Sequence, residues 1–213
     1  MTTTPATTRC DAVLFDLLTA LLDSWTLWNS VAGDAEAGAR WRGEYLRLTY
    51  GAGTYRPYEE IVADAARRQG LDGALAERLV ARWDELTPWP EAPGVAAELA
   101  GSTRVGVVTN CSDTLGRRAA ARLGVPFDVV VTAEAAGAYK PRAEPYRAAL
   151  DALGLPAGRV LFVAGSPYDI SGAGDLGMAV WWHNRTHKPR GDLPAPLAEH
   201  DSLIPLLRHC SGA

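Results

Sequence analysis

The stretch that decides the fold is Ala12-Val13-Leu14-Phe15-Asp16, a short apolar run closed by an acidic residue. Continuously apolar runs of this length are typical of strands buried on both faces of a sheet. Similar runs recur at 105–108, 129–131, 160–163 and 178–182, and helix-like segments separate the later ones. Alternating strands and helices predict a parallel α/β sheet with helices on both faces.

Residues 24–93 break this alternation with four helix-like segments in a row. Five of the seven Trp and four of the seven Tyr fall in this stretch, and none of the Phe. We therefore predict two domains: a core of residues 1–23 and 94–213, and a helical cap of residues 24–93. Residues 184–199, with three Pro and mixed charge, are predicted to be a surface excursion.

Composition excludes several classes of protein. The 213 residues carry a net charge of -4, so there is no basic surplus to bind nucleic acid. No apolar run reaches the roughly 20 residues of a membrane span, and Met1–Thr8 lacks the pattern of a signal peptide. Three cysteines far apart in sequence suit reduced thiols. We expect a cytoplasmic protein without nucleic-acid or membrane partners.

Polar residues follow the ends of the predicted strands: Asp16, Thr109-Asn110 and, at a strand-to-helix junction, Asp169. Ligands of parallel sheets bind beyond the carboxyl ends of the strands, so these residues are candidates for chemistry. A carboxylate there can be a nucleophile, and a hydroxyl with an amide can bind an oxyanion. Taken singly, each residue is also consistent with a helix cap or a turn.

Lysine is rare in this chain, and its positions are therefore informative. Of the 21 basic residues, 19 are Arg and only Lys140 and Lys188 are Lys. Lys140, in Tyr139-Lys140-Pro141, supplies a positive charge close to the predicted carboxyl edge. A solvated loop lysine is the alternative, which the scarcity of Lys makes less favoured.

The order of these motifs resembles that of the haloacid dehalogenase superfamily over nearly the whole chain. Phe15-Asp16 precedes the helical block, and Val108-Thr109-Asn110, Tyr139-Lys140-Pro141 and Phe162-Val-Ala-Gly-Ser-Pro-Tyr-Asp169 follow it. The resemblance implies a Rossmann-like core with an inserted cap. Most members are magnesium-dependent phosphatases, with carboxylates where this chain has Leu18 and Gly165. A hard cation needs oxygen ligands, so we predict no metal and no other cofactor.

In further detail the chain resembles the metal-independent L-2-haloacid dehalogenases (type II). Trp41-Arg42 is similar to their halide-binding segment, and Tyr168-Asp169 to their aromatic–Asp pair. The resemblance implies that Asp16 attacks the halogen-bearing carbon, Asp169 activates the water that hydrolyses the ester, and Lys140 orients both carboxylates. It also implies a set of substrate-binding residues, namely Thr109, Asn110, Arg42, Tyr146, Ser166, Tyr168 and Leu18. The expected partners are a small anionic 2-haloacid, halide and water, with a possible homodimer.

Several positions depart from the pattern of these dehalogenases. They usually carry Gly-Thr where Thr19-Ala20 stands, Tyr at Leu18, and Ser and Asn at Ala164 and Ser166. These changes keep the predicted nucleophile, lysine and second Asp but alter the groups around them. A superfamily phosphatase, or a catalytically idle member that serves as a binding module, are the alternatives that remain.

Overall fold

The computed structural model describes residues 10–211 of the chain. The strands are β1 (Ala12–Asp16), β2 (Leu22–Asp23), β3 (Thr87–Pro88), β4 (Arg104–Thr109), β5 (Val129–Thr132), β6 (Val160–Ala164), β7 (Ala179–His183) and β8 (Ala198–His200). Six of them form a parallel sheet in the order β5-β4-β1-β6-β7-β8. The predicted α/β class is confirmed.

The helices are α1 (Ser24–Ala32), α2 (Ala35–Tyr50), α3 (Tyr58–Arg68), α4 (Leu75–Ala81), α5 (Ala92–Ala100), α6 (Asp113–Ala121), α7 (Ala133–Ala136), α8 (Ala143–Leu153), α9 (Tyr168–Gly174) and α10 (Ile204–Ser211). The first four lie between β2 and β3, as the break in alternation predicts. We call residues 24–86 the helical insertion. The division of the chain into two domains stays a prediction.

Strand β1 holds the centre of the sheet and brings Asp16 to its carboxyl edge. All five of its residues are buried, and it pairs with β4 on one side and β6 on the other. In this register Asp16 lies opposite Val108. The residues that follow β4 and β6 therefore reach the same edge as Asp16.

The helical insertion is joined to the sheet through one short pairing and several buried contacts. Strands β2 and β3, where the chain leaves and returns, pair antiparallel. The Trp83 indole donates to the Leu115 carbonyl at 2.8 Å, and the Tyr139 hydroxyl donates to the Arg56 carbonyl at 2.7 Å. The insertion and one face of the sheet share a single apolar cluster, and a second cluster fills the other face.

Three elements differ from the sequence prediction. The last of the four helix-like segments predicted within 24–93, which the sequence places over 74–86, ends as α4 at Ala81, and a short 3-10 turn follows at Trp83–Glu85. Helix α5 was not predicted, although Pro93 in its first turn is well suited to a helix start. The surface excursion of 184–199 leads into edge strand β8, which needs few apolar residues because only one side is paired.

Within residues 10–211, no helix is long and apolar enough to cross a membrane. The Met1–Thr8 segment, from which we argued against a signal peptide, lies outside the described residues. The structure brings together two cysteines that are 200 positions apart in sequence, with the Cys10 and Cys210 sulfurs 3.8 Å from each other. The third, Cys111, is buried, and burial raises the pKa of its thiol to about 12, as expected of a structural cysteine.

Candidate active site

A small cavity lies at the carboxyl edge of the sheet, beneath the helical insertion. Its volume is about 40 Å³, which corresponds to room for about three water molecules. Most of the predicted site residues line it, namely Asp16, Leu18, Arg42, Asn110, Lys140, Ser166, Tyr168 and Asp169. The cavity therefore gathers residues from both parts of the chain around a space suited to a small molecule.

Lys140 forms the centre of the polar side of the cavity. Its Nζ lies 2.8 Å from Oδ1 of Asp16 and 3.2 Å and 3.3 Å from the two carboxylate oxygens of Asp169. The three residues are only 3–7% exposed. A buried lysine between two carboxylates offsets one of the two negative charges that they bring into the interior.

The backbone of Lys140 is held by the side chain of Asn110. The Lys140 N–H donates to Oδ1 of Asn110 at 2.7 Å, and Nδ2 of Asn110 donates to the Lys140 carbonyl at 3.1 Å. One asparagine thus satisfies both backbone groups of the lysine. Asn110 lines the cavity as predicted, but these bonds give it a second role that the sequence did not reveal, which is to position Lys140.

The carboxylate of Asp16 has two unequal oxygens. Oδ2 accepts three hydrogen bonds, from the Thr19 hydroxyl at 2.5 Å, the Thr19 N–H at 2.9 Å and the Ala20 N–H at 3.1 Å. Oδ1 accepts from Lys140. The hydroxyl missing at Ala20 is therefore supplied by Thr19, one position earlier. With Oδ2 saturated by donors, Oδ1 keeps the more available lone pair.

The two carboxylates differ in acidity. Burial raises the pKa of Asp16, but the Lys140 charge and the hydrogen bonds from Lys140 and Thr19 outweigh it and hold the pKa below its usual range. Burial also raises the pKa of Asp169; the Asp16 charge adds to this rise, and Lys140 and Tyr146 only partly oppose it. Paired carboxylates with pKa values pushed apart are suited to separate roles as nucleophile and base.

Two predicted substrate-binding residues do not line the cavity. Thr109, the last residue of β4, is fully buried and its hydroxyl points to the Cys111 sulfur, 3.7 Å away. Tyr146 reaches up from α8 and donates its hydroxyl to Oδ1 of Asp169 at 2.6 Å. Tyr146 can therefore act on a ligand through Asp169, whereas Thr109 packs inside the core at the end of β4.

The helical insertion contributes a buried cation to the cavity wall. Arg42 is 3% exposed, and its Nη1 donates to the Ser24 hydroxyl at 2.5 Å. Its guanidinium lies 3.8 Å from the ring centroid of Trp25, and its buried Nε has no hydrogen-bond partner among the described residues. Burial lowers the pKa of Arg42, because the guanidinium loses hydration free energy when it leaves water. An anion bound in the cavity would offset that loss.

The rim of the cavity is aromatic. The rings of Tyr50 and Tyr168 lie 4.5 Å apart, and the Tyr50 hydroxyl is 3.4 Å from that of Ser166. Tyr168 is 48% exposed, so it sits between the cavity and solvent. Tyr45, from the same helix as Tyr50, donates its hydroxyl to the Asn110 carbonyl at 2.8 Å. Tyr45 and Tyr50 were not predicted as site residues, although both follow Arg42 at helical spacing.

Lys188 is the cavity residue that sequence reasoning missed most clearly. It lines the wall, with Nζ 4.0 Å from the centroid of the same Trp25 ring that Arg42 covers. Burial, with a contribution from the Arg42 charge, lowers the pKa of Lys188 to about 8, and the Asp16 charge opposes this. The scarcity of lysine was a signal that could have identified it.

The residues around Asp16 do not fit a magnesium site. Leu18 offers no carboxylate, and a side chain at Gly165 would overlap the Ala20 nitrogen and the Thr19 hydroxyl. Within residues 10–211, no group of three or more His, Cys, Asp or Glu side chains could hold a metal ion. We therefore derive no chemical step through a metal.

Comparisons with known proteins place the chain in a family. The family model described as haloacid dehalogenase-like hydrolase matches residues 10–177. An (S)-2-haloacid dehalogenase of Xanthobacter autotrophicus is 30% identical over 188 residues, covering 79% of this chain and 73% of that protein. A pyrimidine 5'-nucleotidase of Escherichia coli (strain K12) is 31% identical over 136 residues, covering 62% and 60%.

A solved structure of an L-2-haloacid dehalogenase superposes with a TM-score of 0.84 at 25% identity, covering 96% of this chain and all of that one. The fold, the order of the motifs and the family model thus indicate the same family. The chain belongs to the haloacid dehalogenase-like hydrolase family.

Proposed function

We propose that this protein hydrolyses the carbon–halogen bond of short 2-haloalkanoic acids without a metal ion, through an ester formed on Asp16. The observation that carries the proposal is Lys140, a buried cation held between two carboxylates whose pKa values are shifted in opposite directions. Its positive charge stabilises the negative charges of the two carboxylates and of a bound anion, as a metal ion does in a phosphatase. Unlike a metal ion, the ammonium needs no coordinating residues.

In the first step, Oδ1 of Asp16 attacks carbon 2 of the haloacid in line with the departing halide. The new carbon–oxygen bond forms as the carbon–halogen bond breaks, and the halide leaves with the bonding electrons. Support for Oδ1 as the attacking atom comes from the three donors that occupy Oδ2. Arg42 and the ring of Trp25 form the wall that receives the halide.

In the second step, water attacks the carboxyl carbon of Asp16 rather than carbon 2 of the substrate. Asp169, with its raised pKa, accepts the proton of that water. The oxyanion develops on Oδ2, where the Thr19 and Ala20 N–H groups and the Thr19 hydroxyl already point. Collapse releases the 2-hydroxy acid, which carries the former Oδ1, and the proton passes from Asp169 to the departing oxygen. Asp16, left as the carboxylic acid, then loses the second proton of the water to solvent and is again a carboxylate.

Water exclusion favours the first step, because a hydrated carboxylate is a weak nucleophile. The cavity has room for about three waters, and Tyr50 and Tyr168 narrow its rim. A cavity of this size suits a haloacid of two or three carbons. Configuration at carbon 2 would invert once, in the displacement, because the second step leaves that carbon untouched.

Phosphate-ester hydrolysis is the second candidate, favoured by the similarity to the nucleotidase. Phosphoryl transfer depends on metal ions to neutralise charge. Leu18 and Gly165 oppose this candidate, because the first lacks a carboxylate and the second has no room for one.

The test is chloride release from L- and D-2-chloropropionate in EDTA, with the wild-type protein and Asp16→Asn. We expect release from wild type, and a loss of about 10⁴-fold or more in Asp16→Asn. In a single turnover in ¹⁸O-water, the label should enter Asp16 and not the hydroxy acid. Activity that EDTA abolishes, label in the product alone, or magnesium-dependent hydrolysis of p-nitrophenyl phosphate without halide release would each contradict the proposal.

A further inference from the structure

Lys188 and Arg42 share one aromatic ring at the wall of the cavity. Lys188 Nζ lies 4.0 Å and Arg42 Cζ 3.8 Å from the centroid of Trp25, so the two cationic groups are no further apart than these distances together. Among the residues the structure describes, neither cation forms an ion pair with a carboxylate, whereas Lys140 forms two. Two like charges at this separation, both partly or fully removed from water, destabilise each other, and a negatively charged ligand beside them would offset that cost.

The position of Lys188 is built by specific bonds rather than by a loose loop. Its N–H donates to Oδ1 of Asn184 at 2.8 Å, and Nδ2 of Asn184 donates to its carbonyl at 2.9 Å. The same Nδ2 donates to Glu199 in β8 at 2.6 Å. His187 has a φ of 51°, which residues other than Gly adopt rarely. The turn therefore delivers Lys188 to the cavity.

The charges of the proposed reaction match this pair of cations. Before displacement, the negative charges are on Asp16 and on the carboxylate of the substrate. After displacement, Asp16 is a neutral ester, and the two negative charges are on the acyl carboxylate and on the free halide. The wall of the cavity thus faces two separate anions at once, and it offers two cations that form no ion pair with a carboxylate of residues 10–211.

We propose that Lys188 binds the carboxylate of the substrate while Arg42 and Trp25 receive the halide, an assignment that rests on the proposed function. An ammonium is a compact, strongly hydrated charge and suits a carboxylate. A guanidinium stacked on an indole is weakly hydrated, and it suits a large, weakly hydrated halide such as chloride or bromide. Lys188 is then a residue that determines specificity for 2-halo acids over neutral haloalkanes.

The depressed pKa of Lys188 is consistent with this role. Burial and the Arg42 charge lower the pKa to about 8, and the Asp16 charge opposes the change. A second negative charge placed beside the ammonium would oppose it further, so binding of a carboxylate and protonation of Lys188 reinforce each other.

The test compares wild type with Lys188→Met, which keeps the length of the side chain and removes the charge, and with Lys188→Arg, which keeps the charge. Arg190→Met is the control, because Arg190 is an exposed cation in the same excursion that does not line the cavity. Protein-detected NMR titrations give the dissociation constants of propionate and of bromide, and neither needs turnover. Initial rates of chloride release from 2-chloropropionate give KM and kcat.

In Lys188→Met we expect propionate binding and KM to weaken at least about tenfold, the loss of one charge-assisted hydrogen bond. Bromide binding and kcat should change by less than about threefold, Lys188→Arg should recover much of the loss, and the control should match wild type. Weaker bromide binding with unchanged propionate binding, or no change in either, would overturn the assignment.

The same data separate this inference from the proposed function. If wild type releases no halide but binds propionate in a Lys188-dependent way, the reaction is wrong and the carboxylate site stands. If halide is released and propionate binding does not depend on Lys188, only the carboxylate site is wrong. If wild type does neither, both proposals fall.

Discussion

Lys140 and Lys188 are held by the same pair of hydrogen bonds from an asparagine side chain but differ in electrostatic surroundings. In each, one asparagine side chain bonds to both the N–H and the carbonyl of the lysine, with Asn110 serving Lys140 and Asn184 serving Lys188. Lys140 is buried between two carboxylates, and Lys188 faces an aromatic ring. The same pair of hydrogen bonds thus holds one cation among fixed charges and the other beside a space for a ligand.

The difference in surroundings determines the charge of each lysine. Burial alone would lower the pKa of Lys140, but Asp16 and Asp169 outweigh it and raise the pKa above its usual range. Lys188 has no such partner among the described residues, and its pKa falls to about 8. A paired lysine is part of the permanent framework of the site, whereas an unpaired lysine depends on the ligand to keep its charge.

Lys140→Met, which removes the paired lysine, should have the largest effect. Removal of the cation leaves Asp16 and Asp169 buried side by side, and we expect kcat for halide release to fall about a thousandfold. The pKa values of both acids should rise, so the folded variant binds more protons than the unfolded chain does. Its stability relative to wild type should therefore decrease as pH rises through these raised pKa values, as measured by thermal unfolding at several pH values. An unchanged pH profile of stability would contradict the pairing.

Substitution of either asparagine that holds a lysine should have a smaller effect. Asn110→Ala should lower kcat and Asn184→Ala should raise KM, each by about tenfold or less, because each change releases one lysine from its position without removing its charge. Steady-state kinetics with 2-chloropropionate measures both. The matched double variants with Lys140→Met and Lys188→Met should show little further loss. Full additivity would mean that the asparagines act independently of the lysines.

The smallest expected effect is the pH dependence of KM. Lys188 is protonated below its pKa of about 8 and neutral above it, so KM should rise as pH increases through that value. Arg42, from α2, and Asp16, at the end of β1, are the charged groups that act on Lys188 in the cavity. In Lys188→Arg the rise should disappear, because arginine keeps its charge over this range. The same alkaline rise in both proteins would assign it to another group.

The side of the cavity that holds the two carboxylates could be predicted from sequence because the sheet topology determines its position. Parallel strands end at one edge, so the positions of Asp16, Lys140 and Asp169 relative to the apolar runs are sufficient to bring them together. The direction of individual side chains was less accessible. Thr109 and Asn110 are neighbours, yet one faces the core and the other the cavity, since side chains alternate along extended chain.

The position of Lys188 in the cavity wall could not be predicted in the same way. Lys188 reaches the cavity from a Pro-rich segment without hydrophobic periodicity, and its return depends on Asn184, Glu199 and the edge strand β8. The role of Asn110 in holding Lys140 is likewise a tertiary contact between residues 30 positions apart. Short motifs identify which side chains lie at a strand end, but not which residues those side chains bond to in the folded protein.

The pairing of β2 with β3 has a consequence for how this protein can change over generations. The chain departs at Leu22–Asp23 and comes back at Thr87–Pro88 on the adjacent strand, a separation of about 4.8 Å. A segment whose ends meet so closely can be lengthened, shortened or exchanged while β1 and β4 keep their register. Insertions, deletions and exchanges within residues 24–86 can therefore accumulate over generations while the strands that lead to Asp16 and Asn110 keep their positions.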